Sequence, residues 1–135
     1  MAEGLLKSLA GDEYHITSAG TSAYNPHSAS DNAITAMSEM GINISDHVST
    51  QVNGDIIANA DLVLTLTAGH KYILVDLFPQ YRDKVFTLCE YAYGKEGDIA
   101  DPYGGDINVY RNCALQIKDA VCAVYDKLAS AGDEI

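Results

Sequence analysis

The chain has 135 residues, 47% of them hydrophobic and 20% charged, and this ordinary globular composition excludes a collagen-like, mucin-like or intrinsically disordered protein. Acidic residues outnumber basic residues by 19 to 8, which gives a formal net charge of −11. A field of this sign repels phosphate backbones and anionic lipid surfaces, so neither nucleic acid nor a membrane is an expected partner. The length predicts one domain over residues 1–135 with a hydrophobic core of its own.

The three cysteines, Cys89, Cys113 and Cys122, are an odd number and form no C-x-x-C pair. Neither a disulfide framework nor a zinc site is therefore expected. No segment is apolar enough to span a bilayer, and the N-terminal residues lack the basic leader of a secretory signal. We expect reduced thiols and a cytoplasmic location.

Helical and strand patterns alternate along the chain. Apolar spacing predicts helices over residues 1–9, 30–41, 53–59, 68–77 and 106–129, with Ser30 and Thr67 as N-caps. Short apolar or alternating runs predict strands over residues 14–18, 61–66 and 84–88, and residues 89–105 are predicted to be a loop. This order is typical of an α/β protein, a three-layer structure with helices on both faces of a parallel sheet. Its site would lie beyond the carboxyl ends of the strands.

The segment D-P-Y-G-G-D at residues 101–106 has the most distinctive chemistry. An acid followed by proline, an aromatic residue and two glycines forms a rigid loop that can hold the Asp101 carboxyl group in a fixed position. Asp106 is suited to cap the helix that follows. The alternative is that the segment is only a turn and a helix cap.

Five further stretches accompany this segment in a fixed order: S-A-G-T at residues 18–21, G-I-N-I-S-D-H at 41–47, A-D-L-V-L at 60–64, R-D-K-V-F at 82–86 and V-Y at 109–110. The ordered set resembles the low-molecular-weight protein tyrosine phosphatase family over the whole chain. Residues 87–91 (T-L-C-E-Y) and 97–102 (G-D-I-A-D-P) look most like its bacterial branch, which includes protein arginine phosphatases.

The catalytic loop of that family reads C-x5-R-S-P and is followed by an apolar residue and A-E-G or A-E-A. Met1-Ala2-Glu3-Gly4 matches the residues directly after the loop. No cysteine of the chain has an arginine six positions later, and the only arginines are Arg82 and Arg111. The resemblance therefore implies a phosphatase-like domain that is incomplete at its N-terminus, without its first strand and its catalytic loop.

The resemblance assigns roles to five residues of this chain. Asp101 would be the general acid, and Tyr24 and Tyr103 would wall the substrate cleft. Ser18 and His47 would hydrogen-bond the catalytic loop from behind, and we expect them to lack that partner here. The family uses no metal or other cofactor. The plain alternatives are a turn acid, packed loop aromatics and a surface imidazole.

Two hypotheses follow for the function. In the first, the chain is part of a cysteine-dependent phosphatase for phosphotyrosine or phosphoarginine in proteins, begins at an internal methionine, and is inactive as it stands. In the second, Met1 is the true start and the chain is a non-catalytic pseudo-phosphatase or interaction module. The cysteine positions do not favour an arsenate reductase. Without a first strand, residues 14–18 are expected to pair with residues 61–66 in a three-stranded sheet, or a homodimer is expected to cover the exposed edges.

Overall fold

The computed structural model of the protein describes residues 1–21 and 28–133. The elements in these ranges are α1 (Ala2–Ala10), α2 (Asp31–Glu39), α3 (Gly54–Asn59), β1 (Val63–Thr65), α4 (Ala68–Leu77), a 3₁₀ helix (Pro79–Lys84), β2 (Val85–Thr87), α5 (Leu88–Tyr93) and α6 (Ile107–Asp133). Among the helices of these ranges, none is both long and apolar enough to cross a membrane.

Polar N-caps explain where most of the predicted helices begin. The side chain of Ser30 accepts a hydrogen bond from the Ala33 amide (3.3 Å) at the start of α2. Asn53 caps α3 and Thr67 caps α4 in the same way. Asp106 caps α6, because its Oδ1 accepts from the amide of Val109 at 3.1 Å. Each cap satisfies an amide that the first helical turn leaves without a partner.

The predicted loop over residues 89–105 is wrong in its first part, which forms α5. The Thr87 side chain accepts from the Glu90 amide (3.0 Å), while the Glu90 carboxylate accepts from the Thr87 amide (3.1 Å). This reciprocal capping box starts the helix, and Gly94, at a φ of 70°, ends it. The T-x-x-E spacing of Thr87 and Glu90 is a sequence signal for this helix, and the prediction of a loop overlooked it.

The sheet consists of β1 and β2, which are parallel with Val63 opposite Val85 and Thr65 opposite Thr87. Successive strand residues point to opposite faces, and each face has its own core. Leu64 packs against the main core, built from α1, α2, α5 and α6, whereas Val63 and Val85 belong to a smaller core with residues of α3 and α4. The architecture is thus a three-layer α/β fold with helices on both faces.

The predicted strand over residues 14–18 is wrong. Burial does alternate along this segment as it would in a strand, because Tyr14 and Ile16 are half-buried and the residues between and after them are exposed. Residues 14–18 have no strand pairing, and the bridge nearest to them is the isolated parallel one between Gly20 and Gln51. The predicted three-stranded sheet is also wrong, since the sheet of the described residues has two strands. An extended segment becomes a strand only where another strand lies within hydrogen-bonding reach, and the local pattern does not encode that.

Candidate active site

Local hydrogen bonds fix the conformation of the loop over residues 101–106. The amide of Gly105 donates to the carbonyl of Pro102 (2.9 Å), which closes a β-turn. Gly104 takes the third position of that turn with a φ of 82°, a conformation that glycine adopts without strain. The amide of Tyr103 donates to Oδ1 of Asp101 (3.0 Å), so this hydrogen bond fixes one carboxylate oxygen to the turn and does not involve Oδ2.

Close packing makes Gly105 a second fixed point of this loop. A Cβ atom at Gly105 would lie 2.8 Å from the Cβ and Cγ1 atoms of Val109 and 3.0 Å from the carbonyl oxygen of Pro102. The loop therefore lies directly on the first turn of α6. Pro102 is buried, whereas Asp101 is exposed and Tyr103 is 85% exposed.

A backbone hydrogen bond connects this loop to the sheet. The amide of Ile99 donates to the carbonyl of Leu66 (2.9 Å), directly after β1. Asp101 follows two residues later, so its carboxyl group lies beyond the carboxyl end of the strand. Sites of parallel α/β sheets occur at this edge.

A cavity of about 400 Å³ separates the loop from the start of α1, and its lining includes Glu3, Ser30, His47, Asp101, Tyr103 and Tyr110. An adjoining cavity of about 440 Å³ shares Glu3 and His47 and includes Ser18. Of the predicted site residues, the structure thus brings Asp101, Tyr103 and His47 to one cavity and Ser18 to the next. Tyr24 lies outside the described residues.

Glu3 contacts both Ser18 and His47, the two residues that the resemblance assigns to the support of the catalytic loop. The Ser18 hydroxyl donates to Oε1 of Glu3 (3.0 Å), and Nδ1 of His47 lies 3.5 Å from Oε2. Lys7, one turn along α1, donates to the same carboxylate at 3.3 Å. Burial opposes the charged form of Glu3, but the hydrogen bonds from Ser18 and Lys7 outweigh it and lower the pKa of the carboxyl group. Within the described residues, Ser18 and His47 therefore contact Glu3, whereas the partner expected from the resemblance was the catalytic loop.

Close packing of α1 explains how Glu3 reaches this position. A Cβ atom at Gly4 would lie 2.9 Å from Cγ2 of Ile44. Glycine at this position lets the first turn of α1 approach the segment that leads to His47. In the sequence, Glu3 is notable only as part of the match between residues 1–4 and the family motif. An acid in the first turn of a helix, beside a glycine, was the only signal of its role.

The three thiols are free, and two of them are not activated as nucleophiles. Burial raises the pKa of Cys89, and the charge of Asp98 adds to the effect. Burial likewise raises the pKa of Cys113, with a further contribution from Asp101. A raised pKa leaves less thiolate, which is the reactive form.

Neither arginine is placed to hold a phosphate in these cavities. Arg111 makes a bidentate salt bridge with Glu39 (2.7 and 2.8 Å), and these hydrogen bonds raise the pKa of Arg111 and lower that of Glu39. Arg82 lies in the 3₁₀ helix, with its Nε atom 4.0 Å from Asp83. Neither arginine lines the two cavities described above.

A parallel α/β sheet with a carboxyl group on a rigid turn beyond the end of a strand fits the phosphatase class that the sequence pattern suggested. The sequence model of the family named low molecular weight phosphotyrosine protein phosphatase matches residues 1–133. The chain belongs to this family, and the family supports a protein phosphatase function.

Individual relatives agree with this assignment. The protein-arginine-phosphatase of Bacillus subtilis is 40% identical over 122 residues, which cover 88% of this chain and 81% of that protein. The solved structure of the YwlE arginine phosphatase from Geobacillus stearothermophilus superposes with a TM-score of 0.94 and 36% identity, covering 98% of this chain and 86% of that one. A probable low molecular weight protein-tyrosine-phosphatase, EpsP of Ralstonia nicotianae, is 31% identical and covers 98% of this chain and 88% of that protein.

Proposed function

We propose that Asp101 is the general acid of a phosphatase that removes phosphate from arginine side chains of proteins. The observation that carries the proposal is the fixed carboxyl group at the rim of the cavity, with Oδ1 bound to the turn and Oδ2 unengaged by it. The 40% identity with a protein-arginine-phosphatase supports arginine as the phosphorylated residue. Tyr103, which is exposed beside the acid, would form one wall of the substrate cleft.

The reaction has two steps. A cysteine thiolate attacks phosphorus and forms the S–P bond while the P–N bond to the guanidine breaks, and the departing nitrogen takes the proton of Asp101. Water then attacks phosphorus and gives a proton to the Asp101 carboxylate as the S–P bond breaks. The products are phosphate and the regenerated thiolate. No metal takes part in this sequence of steps.

We further propose that the nucleophile and the phosphate clamp come from outside these 135 residues. The 135 residues contain no cysteine with an arginine six positions later, and burial raises the pKa of two of the three thiols. The first turn of α1, with Glu3 and Gly4, lines both cavities. A C-x5-R loop joined to Met1 would therefore enter them directly. Ser18 and His47 would then support that loop through Glu3.

The DNA upstream of the Met1 codon tests this origin. An in-frame stretch that encodes C-x5-R-S-P supports it. A stop codon directly upstream contradicts it and favours the alternative, a non-catalytic pseudo-phosphatase or interaction module.

The substrate is tested on the form that carries the C-x5-R loop. Two peptides of one sequence, one with phosphoarginine and one with phosphotyrosine, are compared by kcat/KM. We expect phosphoarginine to be preferred. A preference for phosphotyrosine would contradict arginine as the substrate and agree with the EpsP relative.

The Asp101→Asn variant tests the acid, because asparagine retains the oxygen that accepts from Tyr103 but carries no transferable proton. We expect kcat to fall by roughly 10²- to 10⁴-fold. An unchanged kcat would remove Asp101 from the mechanism.

A further inference from the structure

Two helices hold the two ends of the loop that bears Asp101. On one side, the side-chain amide of Asn32 in α2 donates to the carbonyl of Gly105 (3.3 Å). On the other side, the thiol of Cys113 in α6 donates to the carbonyl of Ala100 (3.6 Å). The two acceptors are the residue directly before Asp101 and the last residue of the turn.

The hydrogen bonds inside the loop do not fix its position in the protein. The Tyr103–Asp101 and Gly105–Pro102 bonds hold the turn together, yet both join residues of the same loop. Placement against the cavity depends on contacts with other elements. Those contacts are the burial of Pro102, the approach of Gly105 to α6, and the two side-chain donors.

We infer that Asn32 and Cys113 are positioning residues, which hold the Asp101 carboxyl group at the cavity by binding the backbone on either side of it. The inference rests on the proposed role of Asp101 as the general acid. It gives a function to a buried thiol that the reaction itself does not use.

The two donors belong to helices that pack against each other. Met37 of α2 and Ile117 of α6 are buried in the same core, and the bidentate Glu39–Arg111 salt bridge also joins the end of α2 to α6. Ser30 caps α2 two residues before Asn32. Cys113 is 5% exposed, and burial and the nearby Asp101 charge raise the pKa of its thiol, so it keeps the hydrogen that it donates.

Amide hydrogen exchange on the 135-residue chain tests the two contacts without any need for activity. Asn32→Asp keeps the size of the side chain and is favourable near a helix N-terminus, but it removes the donor. Cys113→Ala removes the thiol, and Cys113→Ser restores a donor of similar size. We expect the Tyr103 and Gly105 amides to exchange roughly 2- to 10-fold faster in Asn32→Asp and Cys113→Ala.

The controls separate positioning from general stability. Amides in the middle of α6, such as that of Ile117, are expected to keep their exchange rates in every variant, and Cys113→Ser is expected to exchange like the parent. Equal acceleration at Tyr103, Gly105 and Ile117 would show a merely structural role and overturn the inference. Unchanged rates at Tyr103 and Gly105 would overturn it as well.

A second measurement uses the form with the C-x5-R loop and two aryl phosphates. p-Nitrophenol leaves with little protonation, whereas phenol needs the proton of the acid. A displaced acid therefore slows the hydrolysis of phenyl phosphate more than that of p-nitrophenyl phosphate. We expect this difference in Asn32→Asp and Cys113→Ala. Cys113→Ser is expected to recover the rate with phenyl phosphate relative to Cys113→Ala. Equal slowing of both substrates would overturn the positioning role. Failure of the proposed function differs from this, because Asp101→Asn would then leave both rates unchanged.

Discussion

Asp98 and Ala68 are joined across thirty positions of sequence, because Oδ1 of Asp98 accepts a hydrogen bond of 2.8 Å from the Ala68 amide. Ala68 is the first residue of α4, so the carboxylate satisfies one of the amides that a helix start leaves without a partner. The neighbouring Ile99–Leu66 bond joins the same two segments. These two hydrogen bonds attach the segment before Asp101 to the connection between β1 and α4.

Asp98→Ala is expected to lower the free energy of unfolding by about 1 kcal/mol, the usual effect of losing a helix cap. Asp98→Asn keeps an acceptor oxygen and is expected to cost less. Urea unfolding of the parent and both variants measures the difference. An equal loss of unfolding free energy in the two variants would mean that the charge of Asp98, and not its hydrogen bond, stabilises the protein.

Gly105→Ala is expected to destabilise the protein by about 1–3 kcal/mol, because its Cβ atom would overlap Val109 and the Pro102 carbonyl. Gly104→Ala is the matched comparison. Its Cβ atom meets nothing within 4 Å, but its φ of 82° costs roughly 1–2 kcal/mol for a residue other than glycine. Gly104→Asn is expected to recover part of that loss, since asparagine tolerates this region. Thermal unfolding of the three variants checks both causes. A stable Gly105→Ala protein with unchanged loop amide shifts would contradict the packing argument.

The features that could be predicted from the sequence are those set by neighbouring residues. α4 begins and ends as predicted, because Thr67 caps it and Phe78-Pro79 stops it. The D-P-Y-G-G-D turn and its Asp106 cap are local in the same sense. The absence of strand pairing at residues 14–18 was not predictable, since pairing depends on which segment lies beside them in the fold.

The contacts of Ser18 and His47 with Glu3 could not be predicted from neighbouring residues either. Ser18 is fifteen positions away along the chain, and His47 comes from the segment that follows α2. Only the folded chain brings both to one carboxylate. The hydrogen bonds from Asn32 and Cys113 to the Asp101 loop could not be predicted either, because both acceptors are backbone carbonyls, which every residue has.

Glu3 is expected to make the stability depend on pH in the acid range. Its folded-state pKa is lowered from the ordinary 4.5, so the folded protein binds this proton less readily than the unfolded chain. The stabilisation is therefore present above pH 4.5 and is lost as the pH falls through the lower, folded-state pKa. Glu3→Gln is expected to cost about 1 kcal/mol at neutral pH and little in strong acid.

Urea unfolding of Glu3→Gln at a series of pH values measures this effect, with Glu96→Gln, a change at an exposed glutamate, as the control. The two variants should differ at neutral pH and converge in acid. A Glu3→Gln cost that stays constant with pH would show that the Glu3 charge is not involved.

The free edge of β1 is expected to promote self-association. β1 pairs with β2 on one side, and no third strand joins the sheet of the described residues. An unpaired edge offers backbone donors and acceptors to a second copy of the chain. Sedimentation velocity over a range of concentrations should show a dimer that dissociates on dilution, with the β1 amides of the unpaired edge protected from exchange only in the dimer. A monomer at all concentrations would contradict this prediction.

The 135-residue chain by itself is expected to show no phosphatase turnover above background. Asp101 is the proposed proton donor, but catalysis of phosphoryl transfer also needs a nucleophile and a group that stabilises the charge on the phosphate oxygens. Burial raises the pKa of Cys89 and Cys113, and Arg111 is held by Glu39. An assay with p-nitrophenyl phosphate measures the rate, and Asp101→Ala serves as the control. Turnover that disappears in Asp101→Ala would show that another group of these 135 residues attacks phosphorus, and the proposal of an external nucleophile would then be wrong.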